Sequence, residues 1–178
     1  RDRGLQPTVS IIPELNEELD AELERRNFKK LLDLEVMVKD PVQREVDFEF
    51  SKTDIPSEEW LAIHNDEAIA QLLVRTPSKY VEIKIENELI AIGRIAFADG
   101  WAVISRIWVK PTMRGRGYGR KVLHALESLA GDSKLALQVQ LENESAYQLY
   151  LTEGYKTHHT GRFRSQSQQI NLSQDCQC

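Results

Sequence analysis

The sequence predicts an α/β (α+β) fold, built on a mixed, mostly antiparallel, twisted sheet with helices on both faces. Three observations predict it. Residues 80–109 contain three stretches of strand-like residues joined by short turn signals, which read as an antiparallel meander. Two helix-to-strand units follow, each with a capping residue in front and a glycine behind. Between meander and units lies the glycine-rich run 114–119, too short and too well flanked by regular segments to be a linker.

Within the meander, residues 80–85 alternate Val81, Ile83 and Ile85 against Glu82, Lys84 and Glu86, the period of a half-buried strand. Asn87 supplies a turn. Residues 89–98 form the second strand, with Gly93 read as a bulge, and Asp99-Gly100 is a hairpin signal before the third strand, 101–109. Strand alternation sends Trp108 to the face opposite Ile107 and Val109. A helix from Gly117 carries Val122, Leu123, Leu126 and Leu129 on one side and stops at Gly131-Asp132. Residues 135–141 read as a strand, Asn143 as the cap of a helix ended by Gly154, and 155–163 as the last strand.

The segment before the meander is less regular. Residues 8–12 and 31–38 read as strands around a helix running from Pro13 to Arg26. Ser57 is the expected cap of a short helix to His64, and a second short helix is expected up to Val74. Residues 1–40 form a β-α-β segment, 41–164 the main domain, and the Gln- and Ser-rich stretch 165–178 a flexible tail.

Composition removes several function classes. A net charge of −5 over 178 residues argues against nucleic-acid binding, and no apolar run is long enough to cross a bilayer. No apolar leader precedes the first strand, so the expected location is cytoplasmic. Cys176 and Cys178 sit in the polar tail without a neighbouring histidine, which makes them poor nucleophiles and poor metal ligands; no metal is expected.

The run Arg114-Gly115-Arg116-Gly117-Tyr118-Gly119-Arg120 joins a strand to a helix. Its glycines let backbone N–H groups converge, the helix start favours an anion, and Arg114, Arg116, Arg120 and Lys121 concentrate positive charge in an acidic chain. A phosphate-bearing ligand held by main chain is the natural reading. A dinucleotide fingerprint needs a parallel βαβ unit, a P-loop needs Gly-Lys-Ser/Thr, and an RNA-binding Arg-Gly segment would be repetitive. One helix and one strand later, Ala146, Leu149 and Tyr150 share a helical face behind Asn143.

Together these runs make the chain resemble the GNAT superfamily of N-acetyltransferases over roughly residues 50–164. The pattern Arg/Gln-x-x-Gly-x-Gly/Ala is met by Arg114, Gly117 and Gly119, behind Val109-Lys110-Pro111. The later pattern Asn-x-x-Ala-x-x-Leu-Tyr-x-x-x-Gly-Phe is met by Asn143, Ala146, Leu149, Tyr150 and Gly154, with Tyr155 in place of Phe. The resemblance implies the GNAT acyl-CoA N-acyltransferase fold and acetyl transfer from acetyl-CoA to a primary amine by direct attack. It implies that Ile107, Trp108 and Val109 pair with the pantetheine arm in a gap between their strand and 135–141. It assigns the pyrophosphate to the amides of Arg114, Gly115, Arg116, Gly117, Tyr118, Gly119 and Arg120, and a cofactor-arm contact to Asn143. Tyr150 matches the tyrosine that protonates the leaving thiolate. The chain would act as a monomer or homodimer on a small-molecule or peptide amine. A non-catalytic acyl-CoA-binding or sensor module is the alternative.

The base is open. Glu82, Glu142, His64, His158 and His159 are candidates, as is deprotonation through water. Trp60, Trp101 and Trp108 read as core or rim packing, with an acceptor pocket as the other reading. Finally, residues 9–38 echo the chain's own end: with Asn16 on Asn143, Leu23 falls on Tyr150, Asn27 on Gly154 and Phe28 on Tyr155. The pattern resembles tandem members of the family in which a degenerate N-terminal half, here with Leu23 where the acid would be, precedes an active one.

Overall fold

In the computed structural model, which describes residues 7–64, 73 and 75–166, the expected meander forms as three long strands: β4 (Ser78–Ile85), β5 (Glu88–Ala98) and β6 (Trp101–Val109). Both connecting turns have positive φ at two successive residues, Glu86-Asn87 and Asp99-Gly100, the geometry whose twist matches that of a two-stranded ribbon. Before the meander come β1 (Thr8–Ile11), helix α1 (Glu17–Arg25), β2 (Lys29–Lys39), β3 (Ser51–Thr53) and α2 (Glu58–His64). After it come α3 (Tyr118–Ser128), β7 (Lys134–Gln140), α4 (Glu144–Thr152) and β8 (Lys156–Ser165). The strands make one eight-stranded sheet in the order β1-β8-β2-β7-β6-β5-β4-β3. Among the described residues only β6 and β7 run parallel, and every other neighbouring pair is antiparallel.

The two faces bury separate cores. One joins Val81, Ile83, Ile95 and Ile104 to Val122, Leu123 and Leu126 of α3 and to Ala146 and Tyr150 of α4. The other packs Trp60 of α2 against Tyr80 and Ile92, with Trp108 at its rim. Helices therefore cover both faces, as the sequence predicts. Gly93 lets α3 approach β5: a Cβ there would lie 2.6 Å from Val122 Cγ1 and 2.7 Å from Leu126 Cδ1.

Several local expectations need correction. The helix expected from Pro13 divides at Asn16, leaving a single 3₁₀ turn (Pro13–Leu15) before α1. The missing N–H of Pro13 suits either start, but the chain bends at Asn16 (φ −135°), so no continuous helix forms. The bulge expected at Gly93 lies on the facing strand. Ile92 pairs with Trp108 and Arg94 with Ser105, so Arg106 and Ile107 together oppose Gly93. The extra residue shifts the alternation, which puts Ile104 and Ile107, three apart, in the same core. Strand β3 had no sequence signal, being three exposed residues. The second helix expected before Val74 and most of the expected tail fall outside the described residues; β8 itself extends to Ser165.

The N-terminal segment is built into the sheet, with β2 between β8 and β7. Its resemblance to the chain's end extends to backbone detail. Asn27 and Gly154 both have positive φ, at 63° and 89°. Phe28 N–H donates to Leu23 O at 2.9 Å, as Tyr155 N–H does to Tyr150 O at 3.0 Å. The β2–β8 ladder centres on Leu34 opposite Gly161, which are counterparts in this alignment. Each strand carries one bulge, at Leu31 in β2 and at its counterpart His158 in β8. The outer ladders, β1–β8 and β7–β2, are both antiparallel. The segments β1-α1-β2 and β7-α4-β8 are thus related by an approximate local two-fold about Leu34 and Gly161, with the outer ladders differing by one residue in register.

Ion pairs clamp α1 onto β8. Arg162 donates to Asp33 and Asp20, and Arg164 donates to Asp20 and to Phe28 O. These guanidinium hydrogen bonds, Arg164 on Asp20 and Arg162 on Asp33, outweigh desolvation and hold both carboxyls below their usual value. A depressed folded pKa adds stability above the unfolded value and loses it as pH falls through the folded one. Acid titration of thermal stability should therefore show a loss below about pH 4, shallower in Asp33→Asn, which at neutral pH should cost about 1–3 kcal/mol. Gly93→Ala should cost about 1–3 kcal/mol through overpacking against α3, measured by urea denaturation.

Candidate functional site

The loop between β6 and α3 has the form its glycines require. Gly115 and Gly117 take φ of 71° and 84°, and Gly117 caps α3 in the left-handed region. The first hydrogen bond of the helix is Lys121 N–H to Gly117 O, so the amides of Tyr118, Gly119 and Arg120 precede the helical ladder and face its N-terminal end. Gly115, Arg116 and Gly117 are exposed. The side chains around them are largely committed elsewhere. Arg114 Nε donates to Val109 O at 3.3 Å, Arg120 Nε to Glu153 at 2.7 Å, and Lys121 Nζ lies 5.4 Å from the Phe48 ring centre and 5.5 Å from that of Tyr118. Positive potential is concentrated at the loop, while the directed donors toward an anion are backbone amides.

Beside this loop the sheet opens. The parallel ladder between β6 and β7 runs from Trp101–Lys134 to Ile104–Leu137 and ends there. Beyond it, β6 remains paired with β5 through Val109, and β7 with β2 through Gln140. Residues 105–109 and 138–140 therefore have no ladder between them. The β6 bulge sits at the start of the opening, with Arg106 at φ 58°. Ile107 and Val109 are buried in the core that also holds Tyr150, Val139 and Ala146. Trp108 faces the opposite core beside Ile92, as its position predicts.

Helix α4 brings Asn143 and Tyr150 to the same region. Asn143 Oδ1 accepts from Ala146 N–H at 3.1 Å, closing the helix start as its residue type suggests. Tyr150 is 4% exposed, and its ring meets that of Tyr155 edge-on at 5.9 Å.

The base candidates scatter. Glu82 is buried and accepts from Ser57 Oγ at 2.5 Å, while Ser57 Oγ in turn accepts from Trp60 N–H at 3.0 Å as the cap of α2. Pairing of Glu82 with Ile92, and of Ile92 with Trp108, puts Glu82 two strands from β6. His64 is buried with its ring centre 4.5 Å from that of Trp60. His158 and His159 lie on β8, separated from β6 by β2 and β7. Glu142 is exposed directly after β7, at the mouth of the opening. Trp60 is core, and Trp101 lies under Lys134 Nζ at 5.8 Å. Cys176 and Cys178 lie outside the described residues.

Sequence reasoning missed a charged cluster under α3 and α4. Glu127 is fully buried, with Lys39 Nζ at 2.8 Å and Arg44 Nε at 2.5 Å. Glu153, at the end of α4, meets Arg44, Arg120 and His124. Burial pushes the Glu153 carboxyl up, but His124, then Arg120 and Arg44, outweigh it and hold it below the carboxylate range. One signal existed: Glu127 follows Leu126 on the apolar side of α3, where a charge needs a partner. Nothing in residues 39–44 revealed that partner.

Comparison with known proteins agrees with this geometry. A 53-residue stretch is 40% identical to an uncharacterised protein of Mycobacterium leprae, covering 30% of this chain and 15% of that protein. A 73-residue stretch is 34% identical to an uncharacterised N-acetyltransferase of Bacillus subtilis, covering 39% of this chain and 30% of the relative. The chain thus spans less than a third of the length of either. A GCN5-related N-acetyltransferase from Kribbella flavida has a similar fold, with a TM-score of 0.67 at 16% identity over 93% of this chain and 69% of that one. The profile of the "Acetyltransferase (GNAT) family" matches residues 18–155. The chain belongs to the GNAT acetyltransferase family.

Proposed function

We propose that the protein transfers an acetyl group from acetyl-CoA to a primary amine by direct attack. The observation that carries this reading is the end of the β6–β7 ladder at Ile104–Leu137, beside the glycine-capped start of α3. An opening between two strands that no ladder closes suits an extended amide-bearing arm, and a helix start with convergent amides suits a diphosphate. In this reading Ile107, Trp108 and Val109 offer backbone groups to the pantetheine arm. The amides of residues 114–120 take the diphosphate, and Asn143 meets the arm at the start of α4.

The reaction needs three things from the protein. A donor must polarise the thioester carbonyl, for which a backbone N–H near Ile107 or Trp108, next to the β6 bulge, is our candidate. The amine must arrive neutral, since a free alkylammonium has a pKa of about 10.4. As the new C–N bond forms and the C–S bond breaks, the leaving sulfur must take a proton, for which the Tyr150 phenol is our candidate. Water carries the amine's proton to bulk, or Glu142 at the mouth accepts it. The acceptor is a small molecule or peptide amine: a polyamine, lysine, an aminoglycoside, another amino acid or a peptide N-terminus.

We further infer that β1-α1-β2 is the remnant of a second, degenerate acetyltransferase half. The repeated helix-end turns, the paired bulges and the β2–β8 register support it, and Leu23 in place of Tyr150 makes that copy inert.

Tyr150→Phe should lower kcat about 10²- to 10⁴-fold with little change in KM for acetyl-CoA, followed by thiol release with an amine panel. Wild-type turnover in that variant at every pH would eliminate the acid role. Gly117→Val, which forces a β-branched residue to positive φ, should weaken coenzyme A binding about tenfold or more by calorimetry. Absence of any coenzyme A binding by the unaltered protein would favour a domain whose loop holds another anion.

A further inference from the structure

Glu153 stands at an open position of the family's second pattern, at the C-cap of α4 and just before Gly154. Its side chain is 12% exposed and reaches across to α3. One carboxylate oxygen, Oε1, accepts from Arg120 Nε at 2.7 Å. The other, Oε2, lies 2.7 Å from His124 Nε2 and accepts from Arg44 Nη2 at 3.3 Å. These partners outweigh burial and keep the carboxyl ionised at neutral pH. An ionised carboxylate only accepts, so His124 donates from Nε2.

Arg120 and His124 are four residues apart, on one face of α3 and on successive turns. Holding both from a single carboxylate fixes the height and the rotation of the helix start. That start has no hold of its own. Gly117 caps it without a side-chain hydrogen bond, and no acidic residue stands in its first turn. The leading amides are thereby left open toward an anion. Their position is set from outside the helix, by the packing of Val122, Leu123 and Leu126 and by Glu153 beside the first turn.

We propose that Glu153 is a positioning residue for the phosphate-binding turn. It holds Arg120 and His124, and through them it aligns the amides of Tyr118, Gly119 and Arg120 with an incoming diphosphate. The inference rests on the reading of residues 114–120 as the diphosphate site. Glu153 is itself fixed from a second direction, because Arg44, which follows β2, meets both Glu153 and the buried Glu127 of α3. Removing one partner from such a cluster leaves the others uncompensated. The chain also contains a comparison. In the repeated N-terminal segment the counterpart of Glu153 is Arg26, likewise the C-cap of its helix. Arg26 is exposed, and its Nε donates back along α1 to Glu22 at 2.6 Å. The charge is reversed in the copy that has no glycine-rich loop to hold.

Calorimetry with coenzyme A tests this. Glu153→Gln keeps the shape of the side chain and removes its charge. It should weaken coenzyme A binding about tenfold, within the range for a residue that acts on a ligand through its neighbours. At saturating acetyl-CoA, kcat with spermidine or the fastest amine of the panel should stay within about twofold of wild type, because the turn binds and does not react. In an Arg120→Gln, His124→Phe background the same change should cost almost nothing further. A Kd within about twofold of wild type in Glu153→Gln, or losses that multiply in that background, would overturn the inference and leave the loop as the diphosphate site. A fall in kcat at unchanged Kd would overturn it too, since the effect would then lie with α4 and Tyr150. Absence of coenzyme A binding by the unaltered protein would remove the loop reading, and this inference with it. Melting curves and a fitted stoichiometry of one site per chain show that each variant is folded. Should Glu153→Gln fail to fold, His124→Phe carries the test: it removes one of the partners and should weaken coenzyme A about threefold, and an unchanged Kd there would overturn the inference.

Discussion

The architecture depends on the ladder between β2 and β7. A sheet that opens between two neighbouring strands leaves backbone groups facing the gap, and each strand must then be held from its other side. For β6 the meander does this through β5. For β7 the partner is β2, whose pairing from Leu34–Gln140 to Lys39–Leu135 covers the whole stretch that β6 leaves unpaired. Without that ladder, residues 138–140 would have no strand partner on either side. The opening is therefore held by a strand from the beginning of the chain, far in sequence from the glycine-rich loop beside it.

A second consequence of the same placement is electrostatic. Bringing β2 to the centre of the sheet brings Lys39, and after it Arg44, under α3 and α4, where Glu127 and Glu153 are waiting. Such buried pairs add little net stability compared with apolar packing, but losing one partner is costly. They act here as a latch. Glu153 ties the end of α4 to Arg120 in the first turn of α3, so the helix bearing Tyr150 and the helix that follows the glycine-rich loop share a charged contact. The N-terminal segment, the loop helix and the tyrosine helix form one connected unit.

Much of this was legible in the sequence, for local reasons. The meander, its two turns, the glycine-capped helix and the Asn143 cap each depend on residues adjacent in the chain, and each appears where those residues predict. Gly93 was recognised as unusual but its role was misplaced. A glycine in a strand signals either a bulge or a close approach, and only the packing of Val122 and Leu126 against it shows which. The break at Asn16 and the short edge strand β3 escaped because neither has an apolar period. The base candidates show the limit most clearly. Glu82, His64, His158 and His159 are all proton acceptors by residue type, yet the fold gives Glu82 to Ser57, sets His64 against Trp60 and carries the histidine pair three strands from β6.

By itself, the sequence determined the strand periodicity, the glycine-capped loop before α3 and the family these patterns identify, since all three are short-range properties of the chain. It also carried the echo of the end in the beginning, in the spacing of Asn16, Leu23, Asn27 and Phe28. Tertiary structure alone decided that the echoed strands would interleave, with β8 between β1 and β2, that the bulge would fall on β6, and that Glu127 would meet Lys39 and Arg44. Those outcomes depend on which distant segments share a ladder or a buried volume, and no local period encodes them.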